Sequence, residues 1–173
     1  MLEERSGVFA AGENNLTLLG PEIKVGDKAP GFTVSGQGLK QVSLDDSKGK
    51  VRIIASVPSL DTGVCSDETQ KFNEIAGTLP DDVIILTVSM DLPFAQARWC
   101  GAHKVDQVET VSDFKDREFG DRYGVHVKES GLLARAVFVV DKDEVVRHVE
   151  YVPQITQLPD FDAAVSAAKA ASG

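Results

Sequence analysis

The chain has 173 residues, a net charge of −9 and 42% hydrophobic residues. That length suits one domain, read here as residues 1–173, with a core of its own. The acidic balance disfavours nucleic acid or an anionic membrane as a partner, and no apolar run is long enough to span a bilayer.

Val8 to Leu19 reads as a hairpin, with Gly12-Glu13-Asn14-Asn15 as its turn and Leu16-Thr17-Leu18 as the return strand. Phe32-Thr33-Val34 and Lys40 to Leu44 form a second short strand pair around Gly36 and Gly38. The run from Lys50 to Val57 is β-branched and largely apolar, as a buried strand should be. Pro58 has no N–H to donate and ends it. Asp61 and Thr62 are good N-caps, and Val64, Glu68, Phe72 and Ile75 with Ala76 recur at helical steps until Gly77. Asp82 to Ser89 is another apolar strand, and Pro93 to Cys100 a short helix closed by Gly101. Val108 to Val111 is expected as a strand and Asp116 to Tyr123 as a helix. Ala134 to Val140 and Glu144 to Tyr151 pair across Asp141-Lys142-Asp143, and Phe161 to Ala171 is a final helix.

This order places Cys65, one of two cysteines, in the first turn of a helix. Unpaired amides and the positive end of the helix dipole there favour thiolate over thiol. The thiolate is the nucleophile, so the position points to sulfur chemistry. Thr62, one turn earlier, can aim its hydroxyl at the sulfur or at a substrate oxygen, or serve as an ordinary N-cap. Arg135 lies in a run that should be buried, and a buried guanidinium needs a partner. A thiolate would be one; an edge position facing water is the alternative. Cysteine is also a common inert core residue, so Cys65 alone leaves both readings open.

The spacing Pro58-x-x-x-Thr62-x-x-Cys65, within PSLDTGVCSDETQKFNE, resembles the peroxiredoxin active-site motif, and the longer string resembles the thiol peroxidase subfamily, an atypical two-cysteine peroxiredoxin. Val25 to Phe32, Arg98 to Ala102 and Gly131 to Val139 match in the same order. Gly63 departs from the proline common in the family, and Gly31 from an acidic or amide residue. The resemblance implies an α/β, thioredoxin-like fold of peroxiredoxin type with an added N-terminal β-hairpin. It implies that Cys65 attacks hydrogen peroxide or an alkyl hydroperoxide, that Pro58 shields the sulfur, and that Arg135 stabilises the developing charge. It implies Cys100 as the resolving cysteine, closing an intrachain disulfide that thioredoxin reduces, with no metal, haem or flavin. A homodimer is its expected assembly.

Two other readings stand beside it. A thioredoxin-like disulfide exchanger would carry Cys-x-x-Cys, but Cys65-Ser66-Asp67-Glu68 has no second cysteine. A redox sensor would use the disulfide as a switch without turnover. Cys100 and His103 have the look of half a zinc site, but other ligands are scattered singly along the chain. The N-terminal residues lack the basic and apolar regions of a signal peptide, so a cytoplasmic location is expected.

Overall fold

The structure is a computed structural model that describes residues 1–173. Its strands are β1 (Glu4–Ala11), β2 (Asn14–Leu19), β3 (Thr33–Ser35), β4 (Gln41–Ser43), β5 (Val51–Ser56), β6 (Val83–Ser89), β7 (Glu109–Ser112), β8 (His126–Val127), β9 (Ala136–Val140) and β10 (Val146–Tyr151). The helices are α1 (Gly63–Ala76), α2 (Pro93–His103), α3 (Glu118–Tyr123) and α4 (Phe161–Ser172).

Seven strands form one sheet in the order β10-β9-β5-β6-β7-β3-β4. β5, β6 and β7 run parallel, and β9 returns antiparallel beside β5. Every residue of β5 is buried, because both faces of this central strand are covered. Its alternation sorts the core into two clusters. Ile53 and Ala55 pack with Phe72 of α1, Trp99 of α2 and Ala164 of α4. Ile54 packs on the other face with Phe119 and Tyr123 of α3 and with Phe9 and Leu18 of the hairpin. Both cysteines belong to the first cluster, so the sheet puts them on one side. The strand and helix order is the one the resemblance implied, N-terminal hairpin included.

Several boundaries differ from expectation. The hairpin turn is only Gly12-Glu13, and β1 begins at Glu4, because Asn14 and Asn15 pair with Ala11 and Ala10. Helix α2 does not stop at Cys100. It runs to His103, with Gly101 inside it, because Lys104 takes the left-handed capping conformation (φ 55°) that glycine was expected to supply. Helix α3 starts at Glu118 rather than Asp116, since Arg117 before it is left-handed (φ 54°). There the buried carboxylate of Asp113 accepts the amides of Phe119 and Gly120. The inward face of α1 is Cys65, Glu68, Thr69 and Phe72, while Val64 is only half-buried. Strand β9 begins at Ala136, which leaves Ala134 and Arg135 just before it.

The hairpin forms a second sheet, β1-β2-β8, whose third strand β8 no local pattern announced. It closes on the rest of the chain through backbone bonds. Ala10 N–H donates to the Pro153 carbonyl at 2.9 Å, and Ile155 N–H donates to the Ala10 carbonyl at 3.0 Å.

Candidate active site

Strand β5 delivers the chain to the site. Val57 N–H continues the ladder to the Val88 carbonyl at 3.0 Å, and Pro58, which is buried, then breaks it. The arm turns back as Thr62 N–H donates to the Ser59 carbonyl at 3.2 Å. Thr62 is the extended N-cap (φ −95°, ψ 147°), and Cys65 is the third residue of α1. The Thr62 hydroxyl makes no capping bond within α1 and donates instead to the Ser59 carbonyl at 3.0 Å. It is exposed, so its oxygen can still accept from an incoming group.

Cys65 is fully buried, with 0% exposure. Nη2 of Arg135 donates to its Sγ at 3.3 Å. The same guanidinium donates through Nη1 to Oε1 of Glu68 at 3.1 Å and through Nη2 to the Ile155 carbonyl at 2.6 Å. Arg135 is 1% exposed, which excludes the water-facing edge position. Its backbone is held on both sides. Ser56 Oγ donates to the Ala134 carbonyl at 2.7 Å, and Val152 N–H to the Arg135 carbonyl at 3.0 Å. A cation fixed this firmly beside a sulfur stabilises negative charge there without reorganising.

Glu68 is the residue that sequence reading missed as part of the site. It was placed on the apolar face of α1, and an acidic residue on such a face, three after the cysteine, was the available signal. The structure makes it a buried partner of Arg135. Burial pushes its carboxyl up to about 7, against the pull of the Arg135 charge, and Glu150 adds a smaller push. Glu68 Oε2 and Arg135 Nε are both buried without a hydrogen-bond partner.

Cys100 lies on α2, 7% exposed, with its Sγ 3.5 Å from Thr110 Oγ1. Burial pushes this thiol up, and the Thr110 contact opposes it only in part. Burial thus favours the thiol over the thiolate at Cys100. It lines a surface pocket of about 670 Å³ together with Thr110, Lys40 and Lys104. The two sulfurs are not bonded to each other. His103, the other half of the supposed zinc pair, stacks on Trp99 at 4.6 Å and places Nδ1 3.0 Å from the Trp99 carbonyl oxygen.

The structure thus joins Cys65, Arg135 and Glu68 by direct contacts, with Thr62 at the N-cap of the same helix and Pro58 on the arm that leads into it. Cys100 stands apart on the next helix of the same layer. Comparison with known proteins places the chain in a family. The Redoxin family model matches residues 24–165. A thiol peroxidase of Halalkalibacterium halodurans is 58% identical over 158 residues, covering 91% of this chain and 95% of that protein. One from Bacillus subtilis is 54% identical over 155 residues, covering 90% and 92%. Among solved structures, a peroxiredoxin-like protein from Aquifex aeolicus superposes with a TM-score of 0.89 at 42% identity, over 98% of both chains.

Proposed function

This chain belongs to the Redoxin family, in the thiol peroxidase branch of the peroxiredoxins, and we propose that Cys65 reduces hydroperoxides in a two-cysteine cycle completed by Cys100. The contact between Arg135 and the Cys65 sulfur carries this reading. The Cys65 thiolate attacks the terminal peroxide oxygen. An S–O bond forms, the O–O bond breaks, and the departing oxygen takes a proton to leave as water or an alcohol. Arg135 holds the charge that passes from sulfur to oxygen, and the Thr62 hydroxyl orients the peroxide. Pro58 keeps water from the sulfur. The product is a sulfenic acid.

The Cys100 sulfur then attacks that of Cys65. An S–S bond forms and the sulfenic oxygen leaves as water. A dithiol donor, thioredoxin by family resemblance, exchanges with the disulfide, becoming oxidised as both cysteines return to thiols. The cysteines carry the chemistry, so the cycle uses no metal, haem or flavin. We extend the proposal to residues 1–173 acting as one unit, to homodimeric assembly and to the cytoplasm, on the family resemblance and the sequence reading. No helix is long and apolar enough to cross a membrane.

Peroxide consumption by the wild type, Cys65→Ser and Cys100→Ser with a thioredoxin system tests the cycle. Multiple turnovers by the wild type alone are expected. Turnover by Cys65→Ser overturns the assignment.

A further inference from the structure

The arm from Val57 to Thr62 carries Pro58 and Thr62, two of the residues given roles in the proposed cycle, yet it belongs to no helix or strand. One carboxylate holds it. Oδ1 of Asp91 accepts the Ser59 hydroxyl at 2.7 Å, and Oδ2 accepts the Leu60 amide at 2.8 Å. Oδ2 also accepts the Ser89 hydroxyl at 2.8 Å. Hydrogen bonds to an ionised carboxylate are about twice as strong as neutral ones. Asp91 itself sits in the short link between β6 and α2. The chain of contacts continues into α2, because Gln96 Nε2 donates to Ser89 Oγ at 3.0 Å and to the Val111 carbonyl at 2.8 Å. Ser89 and Gln96 are buried, and Gln96 stands one helical turn before Cys100. Ser59, Asp91, Ser89 and Gln96 therefore join the arm before Cys65 to the helix that carries Cys100.

We propose that Asp91 is a positioning residue of the peroxidase cycle: it holds the Pro58–Leu60 arm in the shape that reacts with peroxide, and its release accompanies closure of the Cys65–Cys100 disulfide. The inference rests on the roles proposed above for the two cysteines. Its reason is geometric. A disulfide needs Cα atoms roughly 4.4–6.8 Å apart and both sulfurs turned inward. Here the Cys65 sulfur is held by Arg135 and the Cys100 sulfur lies against Thr110, each within an intact helix. Closing the bond takes each sulfur off the contact that holds it here, and in this proposal the start of α1, α2 or both move as it does. Moving the start of α1 strains the Ser59 and Leu60 bonds to Asp91. Moving α2 strains the Gln96 bond to Ser89. The network stabilises the peroxide-reactive shape and opposes the closing one. Peroxide capture and resolution therefore respond to it in opposite directions.

The test uses the full chain as wild type, Asp91→Ala, Asp91→Asn, Ser59→Ala and Cys100→Ser. Rapid-quench mass spectrometry after a peroxide pulse counts sulfenic acid, disulfide and sulfinic acid at Cys65. Asp91→Ala, which removes the Ser59, Leu60 and Ser89 bonds together, is expected to slow sulfenic acid formation on the order of tenfold. It should also raise, by several fold, the peroxide concentration that over-oxidises half of the chains. Ser59→Ala, which keeps the Leu60 and Ser89 bonds, should move both quantities the same way but less. It serves if Asp91→Ala does not fold. A purely structural Asp91 would lower the melting temperature and leave the ratio of disulfide to sulfinic acid at the wild-type value in every folded variant. That result overturns the proposal while the cycle stands. A wild type that forms no Cys65–Cys100 disulfide, with Cys100→Ser behaving identically, overturns the underlying cycle and this inference with it.

Discussion

Arg135 and Glu68 meet at 3.1 Å in the interior, and the same guanidinium reaches the sulfur of Cys65. Glu68 stands one turn of α1 beyond Cys65, so one cation serves two acceptors on one helix face. The pair is incompletely satisfied, since Glu68 Oε2 and Arg135 Nε have no partner. Burial of a charge pair offsets much of its Coulombic gain, so its value lies in aiming the guanidinium rather than in stability. When Glu68 holds its proton, the whole positive charge is available to the sulfur.

Glu68 sets a pH window. Its carboxyl has an ordinary value of 4.5 and is raised by burial to about 7 in the folded chain. Below 4.5 both folded and unfolded chains hold the proton, and stability is unaffected. Between 4.5 and about 7 the unfolded chain releases its proton first, so stability falls as pH rises, by about 3 kcal/mol in all. Glu68→Gln removes this slope. Urea denaturation at pH 4.5 and 7.5 should show the variant gaining on the wild type at the higher pH. Parallel curves would contradict the burial argument.

Arg135→Met should slow both peroxide reduction and alkylation of Cys65 by about a hundredfold, the scale of losing one aimed charge donor. It also leaves Glu68 buried without its partner, at about 3–5 kcal/mol if the carboxylate stays ionised. The double variant Arg135→Met with Glu68→Gln separates the two effects. Its stability should recover and its rate should not. Arg135→Lys should restore only part of the rate, because a single ammonium cannot reach Cys65, Glu68 and the Ile155 carbonyl together.

The cysteines divide the cycle. Cys65→Ser should consume no peroxide, since a serine hydroxyl is un-ionised near neutral pH. Cys100→Ser should consume one equivalent, stop as the sulfenic acid and over-oxidise under excess peroxide. Peptide mapping of the oxidised wild type should find Cys65 joined to Cys100 within one chain. A disulfide-linked dimer as main product would replace this resolving step with another.

Gly124 caps α3 with φ +67°, and a Cβ there would collide with the Pro21 carbonyl. Gly124→Ala should cost about 2 kcal/mol or more through backbone strain and overpacking. Gly63→Ala is the control, for a Cβ at Gly63 meets nothing within 4 Å. Chemical denaturation of the two variants should differ clearly, with Gly63→Ala near the wild type.

What sequence reading made legible was local. The apolar run of β5, the proline that ends it, the cap at Thr62 and the cysteine one turn later all lie within a single strand-turn-helix unit. The burial of Arg135 followed from its apolar neighbours. Partners brought together by the sheet were not legible. Glu68 and Arg135 are 67 residues apart in sequence, and nothing local pairs them. Nothing in the sequence marks Asp91, because two of its three partners, Ser59 and Leu60, lie some thirty residues earlier in the chain. The end of α2 was misplaced because a lysine adopted the backbone conformation that glycine usually supplies. Strand β8 has two residues and exists only because β2 presents an edge to it.

The hairpin at the start of the chain has a consequence for anyone shortening the protein. Ala10 of β1 grips the segment from Pro153 to Ile155 by two backbone bonds, and the carbonyl of Ile155 is an anchor for Arg135. A chain trimmed to begin after Leu19 would retain every residue of the motif and still lose the brace that aims its cation. Nicking by a protease in the first dozen residues would act at a distance from the sulfur, through the Ala10 bonds and the Ile155 carbonyl that anchors Arg135.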